Sequence, residues 1–234
     1  MEKSPGNVFD EGKMLLIDKP LNWTSFDVVR KIRNLVRTKK VGHAGTLDPL
    51  ATGLLILCTG KFTKRINDYM AREKEYTGDF TFGATTPTYD LESDPQDHKD
   101  FGMVTAESLA QILPRFTGDF LQVPPMHSAI KKDGKRLYEL ARKGKDIRPE
   151  PRKVSISEFV ITGVELPVVH FRVVCSTGTY IRSLAKDMGD AAGCGAYLSR
   201  LCRTRIGDFT LDQAMSIGDA EAYIREELGT VSHS

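Results

Sequence analysis

The chain has 234 residues, of which 40% are hydrophobic and 27% charged, and its 33 basic and 31 acidic side chains give a net charge of +2. These values exclude a disulfide-stapled miniature protein, a fibrous protein and a wholly disordered chain. The longest apolar stretches are far shorter than the roughly 20 residues of a membrane-spanning helix, and the polar leader over 1–13 does not resemble a secretory signal. A cytoplasmic protein without a membrane segment is therefore expected.

The spacing of the cysteines and histidines does not suggest a metal site. The sequence has four cysteines and five histidines but no C-x-x-C pair and no H-E-x-x-H motif. Those spacings are typical of zinc sites. Reduced cysteines in the core and no metal ion are therefore expected.

The first predicted elements are a strand and a helix. Met14–Ile17 is predicted to be a short buried strand that stops at Asp18-Lys19-Pro20, because proline cannot donate a hydrogen bond to a sheet. Thr24 or Ser25 can cap the helix that follows. Its apolar positions follow the helical period and are Phe26, Val28, Val29, Ile32, Leu35 and Val36. The basic side chains fall largely elsewhere, so the outer face of this helix is predicted to be basic.

Hydrophobic period and turn residues predict the remaining elements. They indicate a strand over Tyr76–Phe82, helices over Ala106–Phe116 and Ile181–Ala192, and a hairpin of strands Val154–Val164 and Val168–Ser176. Strands and helices are mixed without the regular period of a doubly wound sheet. This order predicts an α+β fold.

The segment from Val41 to Gly53 is the densest candidate site. Three glycines, His43 and Asp48 in one loop suggest backbone close to a ligand. Asp48 followed by Pro49 would equally well begin a helix with no chemistry, and the local pattern leaves both possibilities open. The signatures of P-loops and of activated serine nucleophiles are absent. Asp48 is the best candidate nucleophile, because a carboxylate is ionised near neutral pH.

Two further segments could bind an anionic or planar ligand. Cys175 to Arg182 offers hydroxyl groups, the ring of Tyr180 and a guanidinium at a predicted helix start, although an ordinary capped helix would look the same. The stretch from Lys131 to Lys153 carries ten basic and four acidic side chains. It is either a solvated face or, together with the basic helix, a surface that follows a phosphate backbone.

Several motifs occur in one order between about Leu15 and Leu211. They are Lys19-Pro20-x-x-x-Thr24-Ser25, Gly42-His43-Ala44-Gly45-Thr46-Leu47-Asp48-Pro49-x-Ala51-Thr52-Gly53, Gly60-x-x-Thr63-Lys64, Lys74-x-Tyr76, Gly178-Thr179-Tyr180-Ile181-Arg182 and Leu201-x-Arg203-Thr204. In composition and order they resemble the bacterial tRNA pseudouridine-55 synthases, the TruB family.

The resemblance implies roles for single residues. Asp48 would be the catalytic aspartate, Tyr76 would stack on the target base where a proton must be moved, and Arg182 would pair with Asp48. The residues implied to contact the flipped uridine or to lie near the RNA are His43, Tyr180, Leu201, Lys19 and Lys64.

The resemblance also implies a fold and its divisions. A mixed central β-sheet flanked by helices would form a catalytic domain over 14–207, and 208–234 would be a short C-terminal tail without a full PUA domain. A thumb-like insertion over about 126–153 would grip the RNA. Its candidate RNA-binding residues are Lys131, Lys135, Arg136, Arg142 and Lys143. His127 and Cys202 depart from the usual family pattern.

The expected activity is isomerisation of the T-loop uridine of tRNA to pseudouridine without a cofactor. The base would be flipped out of the loop, and Asp48 would add to C6 of the ring, attack C1′ or remove a sugar proton. The expected partner is the T-arm stem-loop of tRNA, bound by a monomer without a guide RNA or an obligatory protein partner. The alternative is a tRNA-binding chaperone that folds the tRNA elbow without modifying it.

Overall fold

The computed structural model describes residues 7–126, 131–132, 135–136 and 149–230. The helices are α1 (Val8–Glu11), α2 (Ser25–Val36), α3 (Ile66–Met70), α4 (Ala106–Ile112), α5 (Ile181–Ala192) and α6 (Ile217–Thr230). The strands are β1 (Met14–Lys19), β2 (Val41–Ala44), β3 (Ala51–Thr59), β4 (Lys74–Phe82), β5 (Gly118–Gln122), β6 (Lys131–Lys132), β7 (Lys135–Arg136), β8 (Arg152–Glu165), β9 (Val168–Cys175), β10 (Ala196–Ile206) and β11 (Phe209–Thr210). No helix in the described ranges is both long enough and apolar enough to cross a membrane.

The chain divides into two compact units. The first contains the residues up to Tyr76 together with those from Cys202 onward, and the second contains Thr77–Leu201. The segment expected to be a short tail contributes β11 and α6 to the first unit, and α6 packs against α2.

In the first unit, β3 is the central strand. The strand order is β1-β3-β10, with β2 also paired to β3 and β11 paired to β10. The β1–β3 pairing is antiparallel and runs from Met14 opposite Cys58 to Lys19 opposite Gly53. Because side chains alternate along a strand, Leu55 and Leu57 share the apolar cluster of α2 and α6, while Leu54, Ile56 and Cys58 belong to a second cluster. Both faces of β3 are therefore buried.

Helix α2 begins where the sequence predicts. Thr24 and Asp27 form a reciprocal capping box at its start. The buried apolar face consists of Val28, Val29, Ile32 and Val36. The prediction that Phe26 joins this face is wrong: 59% of its surface is exposed. At 100° per residue, position 26 lies opposite position 28 and above Arg30 and Arg33.

The second unit is built on the strand order β10-β4-β9-β8-β5. Strands β8 and β9 form the predicted antiparallel hairpin, from Ile156 opposite Cys175 to Glu165 opposite Val168. Phe80 stacks on Phe171 with ring centroids 4.1 Å apart, and α4 packs against α5. The expected α+β fold, a mixed central sheet with flanking helices, is confirmed.

Several predicted bounds agree with the structure and others do not. Helix α5 has the predicted bounds, and β4 begins two residues earlier than predicted. The helix predicted over Ala106–Phe116 changes to a 3-10 helix at Leu113, because Pro114 lacks the N–H that an α-helix would use. The four cysteines are free, with three of them buried and Cys202 partly exposed. Strands β2, β3, β5, β10 and β11 and helices α1, α3 and α6 were not predicted.

Candidate active site

The Asp48 loop connects β2 to β3 in the first unit. The N–H of Ala51 donates to the carbonyl of Asp48 at 3.0 Å, which closes a turn that leads directly into β3. No helix begins at this point. The alternative in which Asp48 only caps a helix is therefore wrong, and its carboxylate lies in a turn at the start of a buried strand.

Ser25 holds the Asp48 loop in place by hydrogen bonds to the backbone of Leu47. Its hydroxyl Oγ accepts a hydrogen bond from the N–H of Leu47 at 2.8 Å and lies 3.2 Å from the carbonyl of Leu47, to which it donates. Both residues are buried. The serine of the Thr24-Ser25 motif thus positions the backbone immediately before Asp48.

Lys19 contacts the Asp48 loop on the residue after Asp48. Its ammonium Nζ donates to the carbonyls of Pro20 at 3.0 Å, Trp23 at 2.5 Å and Pro49 at 3.4 Å. The side chain is fully buried. Burial lowers the pKa of Lys19 to about 8, the charge of Asp48 opposes this shift, and the charge of Arg203 adds to it. This setting favours a positioning role, and a contact of Lys19 with RNA stays a prediction.

Arg203 lies in β10 and reaches the same loop. Its guanidinium donates from Nε to the carbonyl of Leu54 at 2.8 Å and from Nη2 to the carbonyl of Gly45 at 3.1 Å. Gly53 makes this approach possible: its φ is +99°, and a Cβ there would lie 2.3 Å from the backbone oxygen of Arg203. A side chain at position 53 would push β10 away from β3.

His43 lies in β2, opposite Leu57. Burial, followed by the charge of Arg203, lowers the pKa of His43, while a hydrogen bond with the backbone of Gly45 opposes the shift. Its Nδ1 is buried without a hydrogen-bond partner in the described part of the chain. The lowered pKa favours the neutral imidazole, and its Nδ1 is enclosed by the surrounding residues.

The first unit also contains Tyr76 and Lys64. Tyr76 is half-buried in β4, whose start is held by Lys74: its buried ammonium donates to the carbonyls of Met70 and Arg72. Lys64 is exposed in the 3-10 helix Gly60–Arg65.

In the second unit, a buried glutamine at the end of β5 holds Tyr180. The N–H of Tyr180 donates to Oε1 of Gln122 at 2.8 Å, and Nε2 of Gln122 donates to the carbonyl of Tyr180 at 3.1 Å. The hydroxyl of Ser183 adds a hydrogen bond to the carbonyl of Val123 at 2.8 Å. The Tyr180–Arg182 turn is thus tied to β5.

Arg182 is 5% exposed and faces an acidic partner in its own unit. Its Nε lies 3.7 Å from Oδ2 of Asp90, and its Nη1 donates to the carbonyl of Thr88 at 3.3 Å. Asp90 is also buried. The pairing of Arg182 with Asp48 stays a prediction, as does the contact of half-buried Leu201 with uridine.

Sequence reasoning missed three of these residues. Asp90 belongs to none of the motifs, and Gln122 precedes two prolines without any motif of its own. Arg203 belongs to the Leu201-x-Arg203-Thr204 motif, which marks its position but not its role. Each acts on a residue far away along the chain, and such pairs have no local signal.

The structure describes only two short segments of the predicted thumb. β6 pairs with β7, with Lys131 opposite Arg136 and Lys132 opposite Lys135, but only their backbone is described. Arg142 and Lys143 lie outside the described residues. Within the described ranges, no three His, Cys, Asp or Glu side chains are grouped to hold a metal ion.

Two family profiles together match residues 33–230 of the chain. The sequence profile described as TruB family pseudouridylate synthase (N terminal domain) matches residues 33–181, and that described as tRNA pseudouridylate synthase B C-terminal domain matches residues 182–230. A tRNA pseudouridine synthase B of Flavobacterium johnsoniae is 52% identical over 214 residues, which cover 88% of this chain and 93% of the relative. The protein of the same name from Phocaeicola vulgatus is 49% identical over 220 residues, which cover 89% and 92%.

A solved structure agrees with these sequence matches. A chain in the crystal structure of a Cbf5-Nop10-Gar1 complex aligns with a TM-score of 0.73 and 29% identity over 94% of this chain. The present chain spans 57% of that chain's length. From the two profile matches and the identity to the bacterial relatives, the chain belongs to the TruB family of pseudouridylate synthases, which are isomerases.

Proposed function

We propose that this chain converts the T-loop uridine of tRNA, at position 55, to pseudouridine. The N1–C1′ bond of the nucleotide breaks, the base rotates, and a C5–C1′ bond forms while the proton on C5 is lost and N1 gains one. Substrate and product are isomers, so the balance requires no cofactor. The relatives' shared name, tRNA pseudouridine synthase B, supports tRNA as the substrate.

The observation that carries the proposal is the fixed Asp48 loop. Ser25 holds the backbone before Asp48, Lys19 holds the backbone after it, and Arg203 holds Gly45. A nucleophile or base that acts on a bound nucleotide needs this fixed geometry. Asp48 is the group proposed to act at C6, at C1′ or on a sugar proton.

Recognition of the base is assigned to side chains around that loop and at the start of α5. His43 lies in the strand that leads into this loop, and its ring is proposed to contact the uridine. Tyr76 supplies a ring on which an extruded base can stack, and Tyr180 and Leu201 are proposed to enclose it. Arg182 is proposed to favour the ionised form of Asp48.

The grip on the RNA is assigned to basic side chains outside the uridine site. Lys64 is exposed and fits a phosphate contact. The thumb over about 126–153 is proposed to bind the T-arm stem. The chain is proposed to act as a monomer in the cytoplasm, without a guide RNA or a protein partner.

The chaperone alternative is not favoured, because the family and its matched relatives carry the name of a synthase.

The test is a map of pseudouridine in RNA treated with the purified chain. A tRNA transcript and a T-arm hairpin are incubated with it, labelled with carbodiimide and read by reverse transcription. We expect arrest at the T-loop uridine in both RNAs and none after a U-to-C change at that nucleotide. Arrest only at other uridines would refute the substrate, and no arrest in any RNA would refute the activity.

A further inference from the structure

The outer face of α2 carries the exposed side chains of Phe26 and Arg30 and the half-buried side chain of Arg33, which the uridine site does not use. Phe26, Arg30 and Arg33 are spaced by four and three residues, which places them along one side of the helix, and exposed Arg37 follows as the C-cap residue. Phe26 is 59% exposed, although the helix has a well-formed apolar face elsewhere.

A groove of about 420 Å³ lies beside this line, and Arg30 belongs to both. Its lining residues are Asn22, Trp23, Asp27, Arg30, Lys31 and Asn34. The amide groups of both asparagines and the indole N–H of Trp23 make no hydrogen bond within the described part of the chain. The groove thus combines an aromatic ring with free donors and acceptors, a combination that suits a nucleobase.

The charges on this face favour a polyanion. Between positions 25 and 40 there are six basic side chains and one acidic one. Asp27 is paired with Arg30 at 2.9 Å, and Lys31 is paired with Glu221 of α6 at 2.8 Å. Arg33 and Arg37 have no ion-pair partner among the described residues, so their charges are available to phosphate groups.

Two residues of the groove are linked by hydrogen bonds to the backbone of the Asp48 loop. The N–H of Asn22 donates to the carbonyl of Pro49 at 2.9 Å. The ammonium of Lys19 bridges the carbonyls of Trp23 and Pro49. An RNA strand bound in the groove would contact the same segment of backbone that positions Asp48.

We propose that the outer face of α2 is a second RNA-binding surface, specific for single-stranded RNA. One unpaired base occupies the groove against the indole of Trp23, and the adjoining phosphates lie on Arg33 and Arg37. This surface is separate from the uridine site and does not depend on catalysis by Asp48.

Trp23 is the only tryptophan of the chain, so its fluorescence reports the groove directly. We would titrate the full chain with an oligoadenylate octamer, which lacks uridine, and follow emission together with the anisotropy of labelled RNA. We expect saturable quenching that parallels binding. Replacing both Arg33 and Arg37 by Gln should weaken binding and reduce the salt slope by about 0.7 for each lost phosphate contact.

The matched control replaces two exposed basic residues of the second unit, as Lys99→Gln with Arg115→Gln, for the same change of charge. The control should retain the quenching and the affinity of the unchanged chain. Unchanged emission at saturating RNA, absence of binding, or an equal loss in both double variants would overturn the proposal. Pseudouridine formation in a T-arm hairpin is assayed separately, so failure of this surface is distinguishable from failure of the proposed function.

Discussion

The charge of Lys19 is strongly affected by its burial in the site. Its pKa is lowered to about 8 from the usual 10.5, chiefly by burial. Between these two values the unfolded chain binds more protons at this side chain than the folded chain does. Its contribution to the free energy of unfolding therefore rises with pH across that window. Three carbonyl groups compensate part of the burial by accepting from its ammonium.

The first prediction concerns the attraction between Lys19 and Asp48. Because the charge of Asp48 raises the pKa of Lys19, Asp48→Asn should lower that pKa below about 8. A carbon-13 NMR titration of labelled lysines can measure it. Asp18→Asn is the control, since Asp18 makes a smaller contribution than Asp48. An equal or larger shift in the control would show that Asp48 is not the dominant nearby charge.

Motifs located the candidate residues better than they explained them. The segment around Asp48 and the Tyr180–Arg182 turn were identified from residue types alone. The inward orientation of Lys19 was not, because a strand-end lysine looks the same whether its ammonium meets water or three carbonyls. The contact between Arg182 and Asp90 joins positions 92 residues apart, and one sequence carries no signal for it.

At the scale of elements, the approach of β10 to β3 depends on a glycine. Gly53→Ala would place a Cβ 2.3 Å from the backbone oxygen of Arg203 at a φ of +99°. We expect the free energy of unfolding to fall by about 3 kcal/mol or more, from backbone strain plus displacement of a strand. The control is Gly45→Ala, which has a φ of +93° but no contact closer than 3.5 Å. It should lose only about 1 kcal/mol, and equal losses in urea unfolding would contradict the packing argument.

The link between β5 and α5 leads to a third prediction. Gln122→Leu would leave the N–H and C=O of Tyr180 without their partners, at a cost of about 1–3 kcal/mol. Stability and pseudouridine formation should both decrease, because the Tyr180–Arg182 turn loses its anchor. Gln111→Leu, at an exposed position of α4, is the matched control, with a change within about 0.5 kcal/mol. A Gln122 variant as stable and active as the control would contradict the claim that Gln122 holds the Tyr180–Arg182 turn in place.

Elements with a clear hydrophobic period were predicted, and those without one were not. Helix α5 and the β8–β9 hairpin have such patterns. Strand β2 was taken for loop because glycine and histidine interrupt its alternation, and β10 carries several arginines among its apolar residues. Helix α6 buries few apolar side chains, of which Ala220 and Ile224 are the most buried, so its apolar stripe is weak.

In the whole molecule, Asp48 is proposed to carry out the chemistry, and other surfaces are proposed to bind the RNA. The first unit contains Asp48 and the groups that hold its loop, and the second contains Tyr180 and Arg182 at the start of α5. Neutralising Asp48 should therefore separate binding from turnover. A chain that only bound and folded tRNA would not show that separation.

The decisive measurement is pseudouridine formation by Asp48→Asn at saturating tRNA, beside the dissociation constant for the same RNA. The substitution removes the charge with little change in volume. We predict that kcat falls by at least about a thousandfold, while the dissociation constant changes by less than about threefold. Asp18→Asn, which alters an exposed carboxylate, should keep both values near those of the unchanged chain. Turnover by Asp48→Asn near that of the unchanged chain would contradict the assignment of Asp48 as the catalytic group.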